Sequence, residues 1–280
     1  MGTDDVAALD LQAQQAKLFL ALHHGTAALL LPNPWDLGSA RLLAWLGFEA
    51  LATTSSGYAA TLGRYDGSVS RDEALAHANE IAGASRLPIS ADLENGFSDD
   101  PVEMAETVRL ALQAGLAGCS IEDFTGREDE PIYSPEMAAE RISAAAEVAH
   151  SGPVHLVLTG RAENYLHGRA DLEDTIARLR LYSEAGADVL YAPGLTRLDD
   201  IATLVRSVGR PVNVLLRPGG PSVNELAGIG VRRISVGGAF AFAAYGAMVQ
   251  AARELQTGES ANFLELARVG GSAADSAFQD

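Results

Sequence analysis

The segment ISADLENGF, residues 89–97, closes an apolar run with Asp92, Glu94 and Asn95, and GCSIEDF, residues 118–124, closes another with Glu122 and Asp123. One acid at a strand end is ordinary. Carboxylates at two consecutive strand ends suggest a shared site, and a cation is its natural guest. Asp92 and Glu94 are two positions apart, so a strand points both to one side. With Glu122 on the neighbouring strand, three oxygen donors converge, a set that suits Mg2+ or Mn2+ with several waters kept. The competing reading is that Asp92, Glu94 and Asn95 make a turn and cap the next helix. SDDP (98–101) already supplies such a cap.

Other polar stretches follow apolar runs in the same way. TTSSGY (53–58) is a small-residue turn whose free amides suit a carboxylate or oxyanion, or it is a plain loop. Arg161, in LTGRAEN, could clamp a substrate carboxylate bidentately, or form an ion pair with Glu163 or Asp171. RPGG (217–220) and SVGG (235–238) resemble phosphate-binding positions of barrels, although Pro218 leaves fewer amide donors. The six histidines do not cluster in the sequence, which argues against a histidine-based zinc site. Cys119 reads as packing. Of 20 basic residues, Lys17 is the single lysine, and it falls on an N-terminal helix. Schiff-base chemistry is excluded unless Lys17 itself serves.

These residues need a scaffold. Eight short apolar runs read as strands near 28–32, 50–54, 88–93, 118–122, 154–159, 188–192, 211–216 and 232–236. Helical patterns separate them. SRDE (70–73) is a capping box, and DPVE (100–103) and SPEM (134–137) place proline just inside a helix start. Eight β units of even spacing, without a dinucleotide fingerprint, predict an α/β protein of the (β/α)8 TIM barrel type rather than a doubly wound sheet. The surplus is an N-terminal helix over about 6–24 and a C-terminal helical tail over about 256–280, and no linker divides the chain, so 1–280 reads as one domain. Such a barrel carries its chemistry at the C-terminal strand ends.

The 280 residues are 48% hydrophobic, enough for a large core. The formal charge of −17 argues against nucleic acid and anionic membranes as partners. No stretch approaches the roughly 20 apolar residues that span a bilayer. The acidic N-terminus lacks a secretory apolar region, and one cysteine allows no intrachain disulfide, so a cytoplasmic setting is expected.

PNPWDLGSARLLAWLGFEALATTSSGYAATLGRYDG, ISADLENGF, AGLAGCSIED and LTGRAEN together resemble the isocitrate lyase/phosphoenolpyruvate mutase superfamily, in its order and spacing, across most of residues 28–245. The resemblance implies a (β/α)8 barrel, often with its eighth helix exchanged between subunits of a homodimer or homotetramer. It implies Mg2+ and a small anionic 2-oxo or 2-hydroxy acid substrate. Asp92 and Glu94 match the metal-holding acidic pair, although the family more often has Asp at the second position. Glu122 matches the third acid, and Asp66 the active-site aspartate after strand 2. Ser55, Ser56 and Gly57 match the loop that binds the oxo-acid carboxylate. Arg161 matches the substrate-binding arginine. Asp66, Glu122 and Arg161 are therefore the expected catalytic residues.

The departures bear on subclass. Isocitrate and methylisocitrate lyases carry a Lys-Lys/Arg-Cys-Gly-His loop after strand 4, and phosphoenolpyruvate mutases a lysine and an asparagine there. Here that loop is FTGREDEPIYS (124–134), with no Lys, Cys, His or Asn. The lyase glutamate after strand 6 is replaced within YAPGLT, at Gly194. Arg127, Tyr58 or Tyr133 could supply the missing charge or proton, and Glu122 and Asp123 could position metal waters. The expected activity is a Mg2+-dependent carbon–carbon lyase or decarboxylase that forms a pyruvate-type enolate. Phosphorus–carbon chemistry on phosphonopyruvate or a carboxyphosphonate is the alternative, as is a diverged protein that only binds a 2-oxo acid.

Overall fold

The computed structural model describes residues 3–279, so Asp280, at the end of the expected tail, lies outside the described residues. The chain opens with α1 (Thr3–Leu22), β1 (Leu29–Leu31), α2 (Leu37–Trp45), β2 (Leu51–Ala52), α3 (Ser55–Thr61) and α4 (Arg71–Gly83). It continues through β3 (Ile89–Asp92), α5 (Pro101–Gln113), β4 (Gly118–Glu122), α6 (Pro135–His150), β5 (Val157–Arg161) and α7 (Leu172–Glu184). It ends with β6 (Val189–Tyr191), α8 (Leu198–Ser207), β7 (Val212–Leu215), α9 (Val223–Gly228), β8 (Arg233–Ser235), α10 (Ala239–Gln256) and α11 (Ala261–Ala277).

All strand pairs are parallel, in the order β1-β8-β7-β6-β5-β4-β3-β2. The remaining seam is drawn together just past β1, where Ala52 N donates to Pro32 O (3.1 Å) and Asn33 Nδ2 to Thr53 O (3.0 Å). The result is an α/β, nearly closed eight-stranded barrel with additional N- and C-terminal helices, as the strand count predicts. The helix starts also behave as read. Ser70 and Glu73 form a reciprocal capping box, Asp100 accepts from Val102 and Glu103 amides, and Ser134 accepts from Met137 N.

Two layers of core follow from strand alternation. Outward-facing Ile89, Ala91, Ile121, Leu158 and Leu190 pack against the helices, and Cys119 joins them. Burial pushes its thiol up to about 12, so it is packing rather than a nucleophile. The second layer closes the N-terminal end of the barrel. There α1 places Ala16 and Phe19 against Leu29, Val157 and Val189. Gln12 Nε2 fastens the helix to Leu112 O (2.8 Å) and Leu116 O (2.9 Å). A Cβ on Gly118 would meet the Phe19 ring and Val157 O at 2.8 Å each, so the plug requires glycine there.

Two elements differ from the sequence reading. The fifth strand is Val157–Arg161, not 154–159. Leu156 N is bonded to Ala149 O, which ties residues 154–156 to the end of α6 instead of the sheet ladder. Arg161 is therefore the last strand residue, with a fixed direction into the barrel. TTSSGY is not a loop, because Thr54 caps a short helix from Ser55.

Candidate active site

β2 to β5 carry the acids to the C-terminal end of the barrel. Asp92, the last residue of β3, is held from several directions. Its amide donates to Thr53 Oγ1 (2.9 Å), and its carboxylate accepts from Ser55 Oγ (3.0 Å). Glu122 ends β4, and Arg161 ends β5 beside it. Arg161 Nη1 lies 3.1 Å from Glu122 and 3.5 Å from Asp92, while its Nε bonds Glu163. One guanidinium thus sits among three carboxylates. Asp66 reaches the same cavity from the segment after α3, together with Ser55, Glu94, Glu122 and Arg161.

Glu94 arrives by a different route from the one expected. β3 ends at Asp92, so strand alternation does not orient Glu94. It has φ 49°, in the left-handed region, and Gly96 (75°) and Phe97 (63°) follow in kind. Glu94 O accepts from Glu122 N (2.9 Å), which locks the turn onto β4. Two non-glycine residues held in this region are a local strain of a kind that clusters at functional sites. Asn95 follows the turn-making reading, since its Oδ1 accepts from Phe97 N and its carbonyl from Arg141.

The electrostatics are those of crowded acid. Burial, then Asp92 and Asp66, push Glu94 up to about 8. Burial and Asp92 also raise Asp66. Burial lifts Glu122 well above the usual carboxylate range, with Arg161 pulling against it. Burial opposes ionisation of Glu163, yet Arg161 and His167 hold it below its ordinary value. Asp66, Asp92, Glu94 and Glu122 therefore disfavour one another's charged forms around the single guanidinium of Arg161. An all-oxygen donor set whose charges repel one another fits a hard divalent cation such as Mg2+ or Mn2+.

The TTSSGY amides are more committed than the sequence implied. Gly57 N donates to Thr54 Oγ1 (3.3 Å), and Ser55 N makes a long contact to Asp92 (3.4 Å). Ser56 N, at the second position of α3, has no such partner among the described residues. Two of the SVGG amides are likewise engaged, because Val236 N and Gly237 N donate to Asn33 Oδ1 (3.0 and 2.8 Å), and those two are not free phosphate ligands.

Asp123 does not face the site. It is buried on the outer side of β4, where it accepts from Tyr182 Oη (2.6 Å), Arg178 Nη1 (3.2 Å) and Glu163 N (2.7 Å). Asp123 lies one residue past the end of β4, where its amide still donates to Arg161 O (3.1 Å), and its side chain is held on the side opposite Glu122 by Tyr182 and Arg178. Among the substitute proton donors, Tyr58 stacks on His77, and Arg127 and Tyr133 both bind Asp99. These last contacts, with the Phe124–Ile132 bridge, fix loop 124–134 across the rim. Gly194 keeps a left-handed φ of 94° against Tyr165 and Leu166.

Two site residues escaped the sequence reading. Glu163 appeared there only as a partner of Arg161, and His167 not at all. His167 Nε2 lies 3.6 Å from Glu163, its ring stacks on Phe124 at 4.0 Å, and it lines the acidic cavity. The spacing of four between Glu163 and His167, just after a strand end, was the available signal. Histidines also meet elsewhere, contrary to expectation. His150 and His155 stack at 4.1 Å and each bonds one oxygen of Asp188. The end of α6 and the segment that leads into β5 bring them together at the opposite end of the barrel.

A family model described as phosphoenolpyruvate phosphomutase matches residues 19–256. An uncharacterized protein of Mycobacterium tuberculosis is 35% identical over 246 residues, covering 86% of this chain and 90% of its own. Oxaloacetate decarboxylase 2 of Pseudomonas putida is 28% identical over 260 residues, covering 89% and 83%. A Burkholderia cenocepacia protein, described as a lyase/mutase without an established activity, superposes with TM-score 0.86 at 57% identity, covering 88% and 89% of the two chains. Enzymes of this kind are lyases and mutases that act on small oxo acids and commonly depend on Mg2+. The family match, the barrel and the acidic rim agree, and the chain belongs to the phosphoenolpyruvate mutase/isocitrate lyase superfamily.

Proposed function

We propose that the protein is a carbon–carbon lyase or decarboxylase that takes a small 2-oxo or 2-hydroxy dicarboxylate through a pyruvate-type enolate. The observation that carries this reading is the placement of Arg161 among Asp92, Glu122 and Glu163, beside Ser55 and Asp66, at the C-terminal end of the barrel. Asp92, Glu94 and Glu122 would hold Mg2+ or Mn2+. The ion, when bound, supplies positive charge where the enolate oxygen becomes negative.

The chain's own groups do the rest. Ser56 N and the Ser55 and Ser56 hydroxyls, at the start of α3, bind and orient the oxo-acid carboxylate. Arg161, held among Asp92, Glu122 and Glu163, offers its guanidinium to the same anion. Asp66 stands at the cavity edge, its proton affinity raised by burial and by Asp92. His167, poised by Glu163, is the imidazole nearest the reacting region and moves a proton between cavity and solvent. Loop 124–134, pinned through Arg127 and Tyr133 to Asp99, excludes water.

The test is release of pyruvate or a similar 2-oxo acid from oxaloacetate, substituted malates, methylisocitrate and phosphonopyruvate. Release is expected with a carbon–carbon substrate, is lost on chelation with EDTA, and returns with Mg2+. Phosphate or phosphoenolpyruvate formed from phosphonopyruvate would move the reading to phosphorus–carbon chemistry. Oxalate binding without turnover of any substrate would overturn catalysis.

A homodimer or homotetramer is part of the proposal. α10 and α11 leave Phe242, Met248, Leu264 and Val269 each at least half exposed, a face that an isolated subunit leaves in water. Light scattering after gel filtration is expected to give two or four times 29.3 kDa at micromolar concentration. A monomer there would remove the subunit-exchange reading.

A further inference from the structure

Beneath the acidic rim lies a charge that the proposed chemistry does not use. Arg233 opens β8 and points into the barrel, with 4% of its surface exposed. Its Nη1 donates to Thr159 Oγ1 (3.1 Å) and contacts His23 Nε2 (3.4 Å), and its Nε has no partner. Both partners are neutral. His23 Nδ1 lies 2.7 Å from Phe19 O and donates its proton there, which leaves Nε2 as the acceptor. Burial pulls the His23 pKa down to about 3, so the imidazole carries no charge near neutrality.

Arg161 meets three carboxylates and Arg178 meets Asp123 and Asp174. Arg141 has no carboxylate partner and an unpartnered Nε, but it donates to three backbone carbonyls, whereas Arg233 meets only a hydroxyl and an imidazole. Among the described residues, no carboxylate lies within ion-pair reach of Arg233. A guanidinium retains its proton, and a buried charge is tolerated only when paired. The Arg233 guanidinium is thus a buried charge with only neutral partners among the described residues.

There is room for one. Barrel interiors are normally filled by bulky branched side chains. This one has Ser90, Ser120, Asn213 and Ser235 at interior positions, around a cavity of about 200 Å3. The cavity runs from Ser55, Asp66 and Arg161 at the rim down to Arg233. Thr159 and Arg161 are two residues apart on β5, which sets Arg233 one interior layer, roughly 7 Å, below the rim guanidinium. Asn213 lies beside it, with Nδ2 on Ser235 Oγ (3.0 Å) and Oδ1 unpartnered. Reversal of that amide keeps the serine contact and presents its NH2 to the cavity, as an anion would require.

We propose that Arg233 is the floor of a second anion subsite inside the barrel, filled by the distal carboxylate of an elongated substrate or by a free small anion. The substrate arm rests on the oxo-acid reading above, whereas the anion arm stands on the unpaired guanidinium alone. If the occupant is the substrate, the enzyme selects acids with a second carboxylate several ångströms from the 2-oxo end and disfavours pyruvate-sized ones.

Calorimetry on the full chain with Mg2+ decides the source. With wild type, malate and 2-oxoglutarate are expected to bind about tenfold or more tighter than pyruvate. Arg233→Met should bring all three to within about twofold of one another and leave pyruvate unchanged. A preference that survives Arg233→Met overturns the substrate arm. In parallel, crystals of the wild-type protein soaked in bromide are read by anomalous scattering, which needs no variant to fold. A bromide peak against the guanidinium with no dicarboxylate preference assigns the free-anion source. Neither preference nor peak overturns the proposal. If no acid binds the wild type at all, the oxo-acid reading fails, and the bromide peak alone then decides for or against the subsite.

Discussion

Asp92→Ala is expected to lower turnover by about a thousandfold while leaving the melting temperature within a few degrees of wild type. Loss of one preorganised electrostatic group costs on the order of 10²–10³ in rate, and Asp92 does more than one task. Its carboxylate accepts from Ser55 Oγ and approaches Arg161, and it stands beside Glu94 and Asp66. Alanine removes a proposed metal ligand, frees the α3 hydroxyl and unbalances the guanidinium. Stability should survive because Asp92 is among the charges that raise Glu94 and Asp66, so its removal relieves like-charge repulsion. Paired melts check the assignment. Mg2+ should raise the wild-type melting temperature by mass action, and it should have little effect on Asp92→Ala. Turnover within tenfold of wild type would remove Asp92 from the site.

Asp123→Ala should do the reverse. The neighbouring acids Glu122 and Asp123 are indistinguishable in sequence, but the fold sends one inward and the other outward. Asp123 is 2% exposed and accepts from Tyr182 Oη, Arg178 Nη1 and Glu163 N. Deleting it strips one of the two carboxylates from Arg178 and leaves the buried Tyr182 hydroxyl and Glu163 amide without their acceptor, at a cost of about 3–5 kcal/mol. That corresponds to a fall in melting temperature of about 10 °C for a chain of this size. Glu122→Gln, by contrast, should melt near wild type and lose most of its turnover, because it keeps the shape and removes the charge facing Arg161. Thermal melts and turnover on the two variants settle the contrast. Equal losses of stability would refute the inward–outward division.

The acids on the site face compete with each other as well as serve it. Glu94, pushed up to about 8, holds a left-handed backbone and a proton affinity that no turn requires. The fold tolerates this because Glu94 O is tied to Glu122 N and Asn95 O to Arg141. Arg141 therefore supports the proposed metal site from behind, without touching the cavity.

Most of the scaffold was legible because its signals are local. Alternation, glycine stops and caps such as Ser70–Glu73 and Asp100 act within a few residues, so eight strands and the helices between them could be read directly. The acids Asp92 and Glu122 and the base Arg161 were legible for the same reason, being polar residues at the ends of apolar runs. What the chain could not display was direction and company. Residues 154–156 look like strand, yet a single bond from Leu156 to Ala149 withholds them from the sheet. Asp123 differs from Glu122 only by one step along the chain. The outward wall it meets is built from Tyr182 and Arg178, more than fifty residues away. His167 is held at the cavity by Glu163 and by the ring of Phe124, which lies on another loop. Arg233 is one residue of the last strand run in the sequence, and only the barrel, with α1 beneath it, shows it buried against Thr159 and His23 with no carboxylate partner among the described residues. Local propensity is written in neighbouring residues. Burial, charge balance and the face a side chain turns to are set by contacts distant in sequence, and only the tertiary structure decides those.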